Sequence, residues 1–110
     1  MSKKRKILIV DDEYFNIMAL TLMFESLGMQ NTKEIIVPAI NGQQAYDIVK
    51  QDMEYYDNKN CSFDLILMDC NMPVMDGYDA TLSIRKLILS KHILQPIICA
   101  VAGHIEPKYV

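Results

Sequence analysis

The stretch LILMDCNMPVMDG, Leu65 to Gly77, decides how the rest of the chain is read. An apolar run stops abruptly at a bare carboxylate, Asp69, and a Pro and a Gly then punctuate the chain within eight residues. Extended one turn upstream it becomes FDLILMD, the most hydrophobic strand pattern in the chain. Its continuous rather than alternating apolarity is the mark of a strand buried on both faces. Taken alone, Asp69 is either a solvated residue in a turn or a reactive oxygen placed within reach of a ligand.

Working outward, short apolar runs alternate with longer amphipathic ones. ILIV (Ile7 to Val10) predicts a first strand. Ile17, Leu20, Met23, Phe24 and Leu27 recur at helical spacing from Tyr14 to Leu27, facing inward, and Gly28 supplies a C-cap. IIVPA (Ile35 to Ala39) predicts a second strand, with Pro38 suited to an edge. Asn41-Gly42 marks a turn, a helix follows from Gln43 to about Tyr56, and DNKNCS (Asp57 to Ser62) is a loop. After the central strand, GYDATLSIRKLILS from Gly77 predicts a helix with Ala80, Ile84, Leu87 and Ile88 inward. Pro96 opens a fourth strand, IICAV, which Gly103 ends. Strands alternating with helices at this spacing imply right-handed crossovers and an α/β, doubly wound parallel sheet.

At 110 residues, 51% apolar and 23% charged, the chain suits one small folded domain spanning residues 1–110. Its net charge of −3 argues against direct nucleic-acid contact, and KKRK, Lys3 to Lys6, reads as a solvated flank of the first strand. No apolar segment reaches the ~18 residues of a membrane span, so no membrane contact is expected. Three cysteines without metal-ligand spacing, Cys61, Cys70 and Cys99, point to a reducing, cytoplasmic setting. Two of them, beside apolar strands, are expected to act as small hydrophobes. The eight methionines are spread as core filling would spread them. Only HIEPKYV follows the fourth strand, enough to begin a helix but not to return with a fifth strand. The fourth strand is thus expected to be an open edge, at which a dimer could form, and the domain to be C-terminally incomplete.

In a doubly wound sheet, ligands bind beyond the carboxyl ends of the strands, where strand order reverses. The first strand runs into Asp11, Asp12 and Glu13, and the third into Asp69. If the two are neighbours, carboxylates converge on one crevice. Two unit charges ~4 Å apart repel by about 1 kcal/mol in water and about 4 kcal/mol at an effective dielectric of 20. Such a cluster calls for a proton or a cation, and Mg²⁺, a hard ion that takes a few carboxylate oxygens and keeps its waters, fits. Asp11 and Asp12 are the metal-holding candidates. Asp69, alone on the central strand, is the candidate nucleophile toward phosphorus. The competing readings are that Asp11 to Glu13 cap the first helix, and that Asp76-Gly77 is only a turn and helix start.

ILIVDDE, LILMDCNMPVMDG and PIICAVAGH, in this order and covering nearly the whole chain from about Lys6, resemble the receiver domain of response regulators and hybrid histidine kinases. Asn16 and the Ala39 to Gly42 stretch lean toward the hybrid-kinase type. The resemblance implies a flavodoxin-like sheet of order 2-1-3-4 lacking its fifth strand and last helix. It implies that Asp69 receives phosphate from the phosphohistidine of a histidine kinase or histidine phosphotransfer domain, in a two-component phosphorelay. Asp12 would bind Mg²⁺ directly, Asp11 directly or through water, and Asn71 through its backbone carbonyl, with Asp69 completing the set. Met72 and Pro73 would shape the adjacent loop. The domain would be a phosphoacceptor rather than an enzyme, assisting its own phosphorylation and dephosphorylation.

Two departures stand against the pattern. Receivers carry a Ser or Thr at the end of the fourth strand, whereas no hydroxyl occurs from Ile97 to Gly103; the position falls on Ala102, or on Val101 when counted from Pro96. The Lys of the family's fifth strand has no counterpart, since Lys108 comes too early, and His104 reads as a solvated loop residue. An alternative is therefore a degenerate pseudo-receiver that binds partners without a phosphorylation-driven switch. Aspartyl-nucleophile phosphatases of the haloacid-dehalogenase type are disfavoured by Asn71, which stands where their second Asp would be.

Overall fold

The computed structural model describes residues 4–70, 72 and 75–101. Four strands form one parallel sheet of order β2-β1-β3-β4: β1 (Lys6–Val10), β2 (Ile36–Ala39), β3 (Phe63–Asp69) and β4 (Ile97–Val101). Between them run α1 (Tyr14–Ser26), the single-turn α2 (Thr32–Ile35), α3 (Gly42–Tyr55) and α4 (Gly77–Ser90). The doubly wound order expected from the sequence is present. Pro38, which has no N–H to donate, lies in the edge strand β2.

The two central strands carry alternate residues to opposite layers. Leu8, Val10, Ile66 and Met68 face α3 and α4, where they pack with Val49, Met53, Ile84 and Ile88, all essentially solvent-free. Each such side chain contributes about 1.5–3 kcal/mol by leaving water. Ile9 and Leu67 face the other way, toward Ile17, Leu20 and Phe24 of α1. This second layer is thin, with Ile9, Ile17 and Ile36 as the buried members of its hydrophobic cluster among the described residues.

That thinness corrects the reading of α1. Met23 and Leu27, expected inward, are 59% and 83% exposed. The helix is apolar on nearly every side, so its periodicity does not single out a face. It ends one residue earlier than expected, with Gly28 at φ +103° just beyond Leu27. There the amides of Gly28 and Met29 donate to the carbonyls of Glu25 and Phe24. The turn α2 was not anticipated. It follows Asn31 in the left-handed region (φ 59°) and takes Ile35 from the expected strand.

The helices that flank the site start as their cap residues dictate. Asn41 Oδ1 accepts from the Gln44 amide at 2.7 Å while Gln44 Oε1 accepts from the Ile40 amide at 2.8 Å, so α3 begins at Gly42. Asp76 Oδ1 accepts from the Asp79 amide at 2.8 Å and opens α4. From the second half of α4, Arg85 donates to Gln95 Oε1 (3.0 Å) and the Pro96 carbonyl (2.8 Å), fastening the helix to the start of β4.

The cysteines reverse the expectation. Cys61, in the loop, is buried, whereas Cys99 on β4 is exposed and Cys70 half-buried; none of the three is in a disulfide. Among the described residues β4 pairs with β3 alone, and its Cys99 and Ile97 side chains are exposed. Of the methionines, Met53, Met68 and Met72 fill the core, but Met18 and Met23 sit on the open side of α1.

Candidate metal and phosphoacceptor site

The register of the sheet builds the site. Val10 of β1 pairs with Met68 of β3, so one step further along both strands Asp11 comes level with Asp69. In strand parity both follow Ile9 and Leu67, toward the α1 layer. The β1–β2 ladder extends to Asp11, whose amide donates to the Ala39 carbonyl at 3.0 Å. Asp69 pairs with Val101 of β4. Both carboxylates are therefore mounted on rigid strand ends and are largely buried, Asp69 at 7% exposure and Asp11 at 4%. Asp12, next in the chain, is exposed at the mouth.

One carboxylate oxygen from each of Asp11, Asp12 and Asp69 lies within 4.8 Å of the others. At an effective dielectric of 20, a pair of unit charges at that separation repels by about 3–4 kcal/mol. Three hard oxygen donors around one point at an open mouth suit a small dication that retains waters. The residues present therefore fit Mg²⁺.

The helix-cap reading of Asp11 to Glu13 holds in position but not in hydrogen bonding. Glu13 is the N-cap of α1, but its side chain makes no cap hydrogen bond. Asp11 instead folds back on its own segment: Oδ1 accepts from the Glu13 amide at 2.9 Å, and the Asn16 amide nitrogen lies 3.4 and 3.3 Å from its two oxygens.

On the opposite wall, the start of α4 presses against the end of β3. A Cβ on Gly77 would collide with the Asp69 carbonyl oxygen and come within 2.9 Å of its carbonyl carbon. Gly77 is thus required by close approach, and the Asp-Gly pair is more than a turn signal. Met72 is buried in the α3–α4 core, tying down the chain just after the site. Tyr78, exposed at the start of α4, has its phenol pushed above the ordinary tyrosine range. The causes are a hydrogen bond with Cys70, then electrostatic interaction with Cys70, partial desolvation and the charge of Asp76.

Of the residues singled out in the sequence, Asp11, Asp12 and Asp69 are brought together, and Val101 lies beside Asp69 without a hydroxyl to offer. Asn71, Pro73, Ala102, His104 and Lys108 lie outside the described residues. Sequence reasoning missed the contact of Asn16 with Asp11 and the packing role of Gly77. The signal for the first was an amide one helical turn beyond an acidic pair; for the second, a residue without a side chain where a helix start meets the end of a buried strand.

The profile of the response regulator receiver domain matches residues 7–110. The chain belongs to the receiver-domain family. It is a receiver domain of two-component signalling, and its relatives include hybrid histidine kinases. It is 33% identical over 104 residues to histidine kinase CKI1 of Arabidopsis thaliana, matching 91% of this chain but 9% of that protein. It is also 33% identical over 98 residues to chemotaxis protein CheY of Bacillus subtilis, matching 89% of this chain and 68% of that one. The chain thus spans a small part of the kinase and about two thirds of the chemotaxis protein. In three dimensions it is similar to the receiver domain of Arabidopsis CKI1 solved with Mg²⁺ and BeF₃⁻. The TM-score is 0.80 at 29% identity, covering 96% of this chain and 70% of that one. Among the described residues, no helix of this receiver domain is long and apolar enough to cross a membrane.

Proposed function

We propose that Asp69 is the phosphoacceptor, taking a phosphoryl group from a phosphohistidine on a histidine kinase or histidine phosphotransfer domain. The observation that carries this reading is the convergence of Asp11, Asp12 and the buried Asp69 within 4.8 Å. Asp11, Asp12 and Asp69 would hold Mg²⁺, with the backbone carbonyl of Asn71 as a further ligand; the Mg²⁺ in the similar CKI1 receiver structure supports the choice. When bound, the ion neutralises the carboxylates and the phosphoryl oxygens as negative charge gathers there.

The rest is work for the chain's own residues. A carboxylate oxygen of Asp69 attacks phosphorus, a P–O bond forms, and the P–N bond to the donor imidazole breaks with the electron pair leaving on nitrogen. The β3 terminus holds that oxygen in place, so little orientational freedom is lost when the donor docks. In this reading the domain is a phosphoacceptor that assists its own phosphorylation and dephosphorylation, not a turnover enzyme acting on a separate substrate.

The lack of any hydroxyl from Ile97 to Gly103 favours a second reading, a pseudo-receiver that contacts partners without a phosphorylation-driven switch. Acetyl phosphate with Mg²⁺ separates the two. Intact-protein mass spectrometry should show the gain of one phosphoryl group, and Asp69→Asn should abolish it. No gain in the unmutated protein under saturating donor would overturn the phosphoacceptor reading and favour the pseudo-receiver.

A further inference from the structure

We infer that Asn16 is a positioning residue for the metal site: its side-chain amide holds the Asp11 carboxylate in its binding orientation before any cation arrives. This rests on the reading of the carboxylate cluster as a Mg²⁺ site. Asp11 is fixed from two sides. The Glu13 amide, two residues on, donates to Oδ1 at 2.9 Å and closes an Asx-type turn. The Asn16 amide nitrogen straddles both oxygens at 3.4 and 3.3 Å. Asn16 lies in the first turn of α1, and its backbone amide donates to the Glu13 carbonyl at 3.0 Å. The donor therefore moves as one body with the turn that carries Asp11.

The chemistry of the contact explains why an amide suits this position. Asp12 and Asp69 each bring an oxygen within 4.8 Å of Asp11, and both push its carboxylate away from the common centre. A cavity of about 220 Å³ adjoins Asp11, lined also by Asn16, Ala19, Leu20, Met23 and Val101, so packing does not hold the carboxylate on that side. The Asn16 side-chain N–H, within reach of both Asp11 oxygens, opposes that displacement. A neutral amide does so without the charge of a Lys or Arg, which would compete with a dication for the same oxygens. Hydrogen-bonding partners of metal-binding side chains typically change metal affinity by 10–100-fold when removed.

The test is Mg²⁺ titration by isothermal calorimetry of the unmutated chain, Asn16→Ala and Asn16→Gln, with far-UV circular dichroism as the fold control. Asn16→Ala should bind Mg²⁺ about tenfold more weakly, and Asn16→Gln should recover part of the loss. Phosphorylation by acetyl phosphate should need about tenfold more Mg²⁺ for half its maximal rate, with the rate at saturating Mg²⁺ little changed. Equal Mg²⁺ affinity in Asn16→Ala and the unmutated chain would overturn the inference alone. So would an Asn16→Ala chain that is unfolded, since the side chain would then serve the fold. If the unmutated chain binds no Mg²⁺, the metal-site reading fails, and this inference with it.

Discussion

Asp69 and Gly77 depend on one another at the scale of single residues. The carboxylate reaches the site because β3 ends there, and β3 can end there because the first residue of α4 has no side chain to hold the helix away. In Gly77→Ala the new Cβ must displace the Asp69 carbonyl, a backbone atom that cannot rotate aside. Overpacking of this kind costs about 1–3 kcal/mol, and here the upper end is expected. Urea unfolding should therefore show a midpoint shift of that size, and the acetyl phosphate reaction at Asp69 should fall with it. An alanine variant as stable as the parent would mean that the close contact is not a constraint. The carboxylates themselves were legible because two neighbouring parallel strands each run straight into an acid. Gly77 was not legible as a packing residue, because Asp-Gly has a sufficient local meaning as a turn.

Elements differ in how well their sequence announced them, for reasons that the packing explains. β3 was clear because a strand buried on both faces needs an unbroken apolar run. α3 and α4 were clear because one side of each meets solvent, so polar residues mark it. The orientation of α1 was not, because Met18, Leu22, Met23 and Leu27 make its solvent side as apolar as its buried side. The four residues of α2 are too few to show any period. The joint between α4 and β4 carries a strand whose side chains are mostly exposed. It is held at its start by Arg85, which donates to Gln95 and Pro96, with Gln95 Nε2 donating back to the Arg85 carbonyl at 3.1 Å. Hydrogen bonds from a charged group contribute about 1.5–3 kcal/mol. Arg85→Ala should thus accelerate amide exchange in β4 while leaving β1 and the middle of β3 protected. Slow exchange in β4, matching β3 both before and after the substitution, would refute the view of β4 as a loosely held edge.

For the molecule as a whole, the site and the sheet place opposing demands on the same residues. Asp11 and Asp69 close the carboxyl ends of the two central strands, so the fold brings buried like charges together where it is otherwise best packed. In the metal-site reading, their repulsion opposes folding without a cation and favours binding when one arrives. A ligand that binds only the folded state stabilises it by about 2.7 kcal/mol at a hundred times its dissociation constant. For a domain of this size that corresponds to a rise of roughly 10 °C in Tm. Asp12→Asn separates the two effects, because Asp12 is exposed and carries no core packing. In EDTA this variant should melt at or above the temperature of the unmutated chain, having lost one of three mutually repelling charges. On addition of Mg²⁺ its Tm should rise much less than that of the unmutated chain. Scanning calorimetry of both proteins, with and without the ion, measures the difference directly. An equal Mg²⁺-induced rise would show that the ion stabilises the fold elsewhere, and a lower Tm in EDTA would show that Asp12 contributes to stability by a contact other than this cluster.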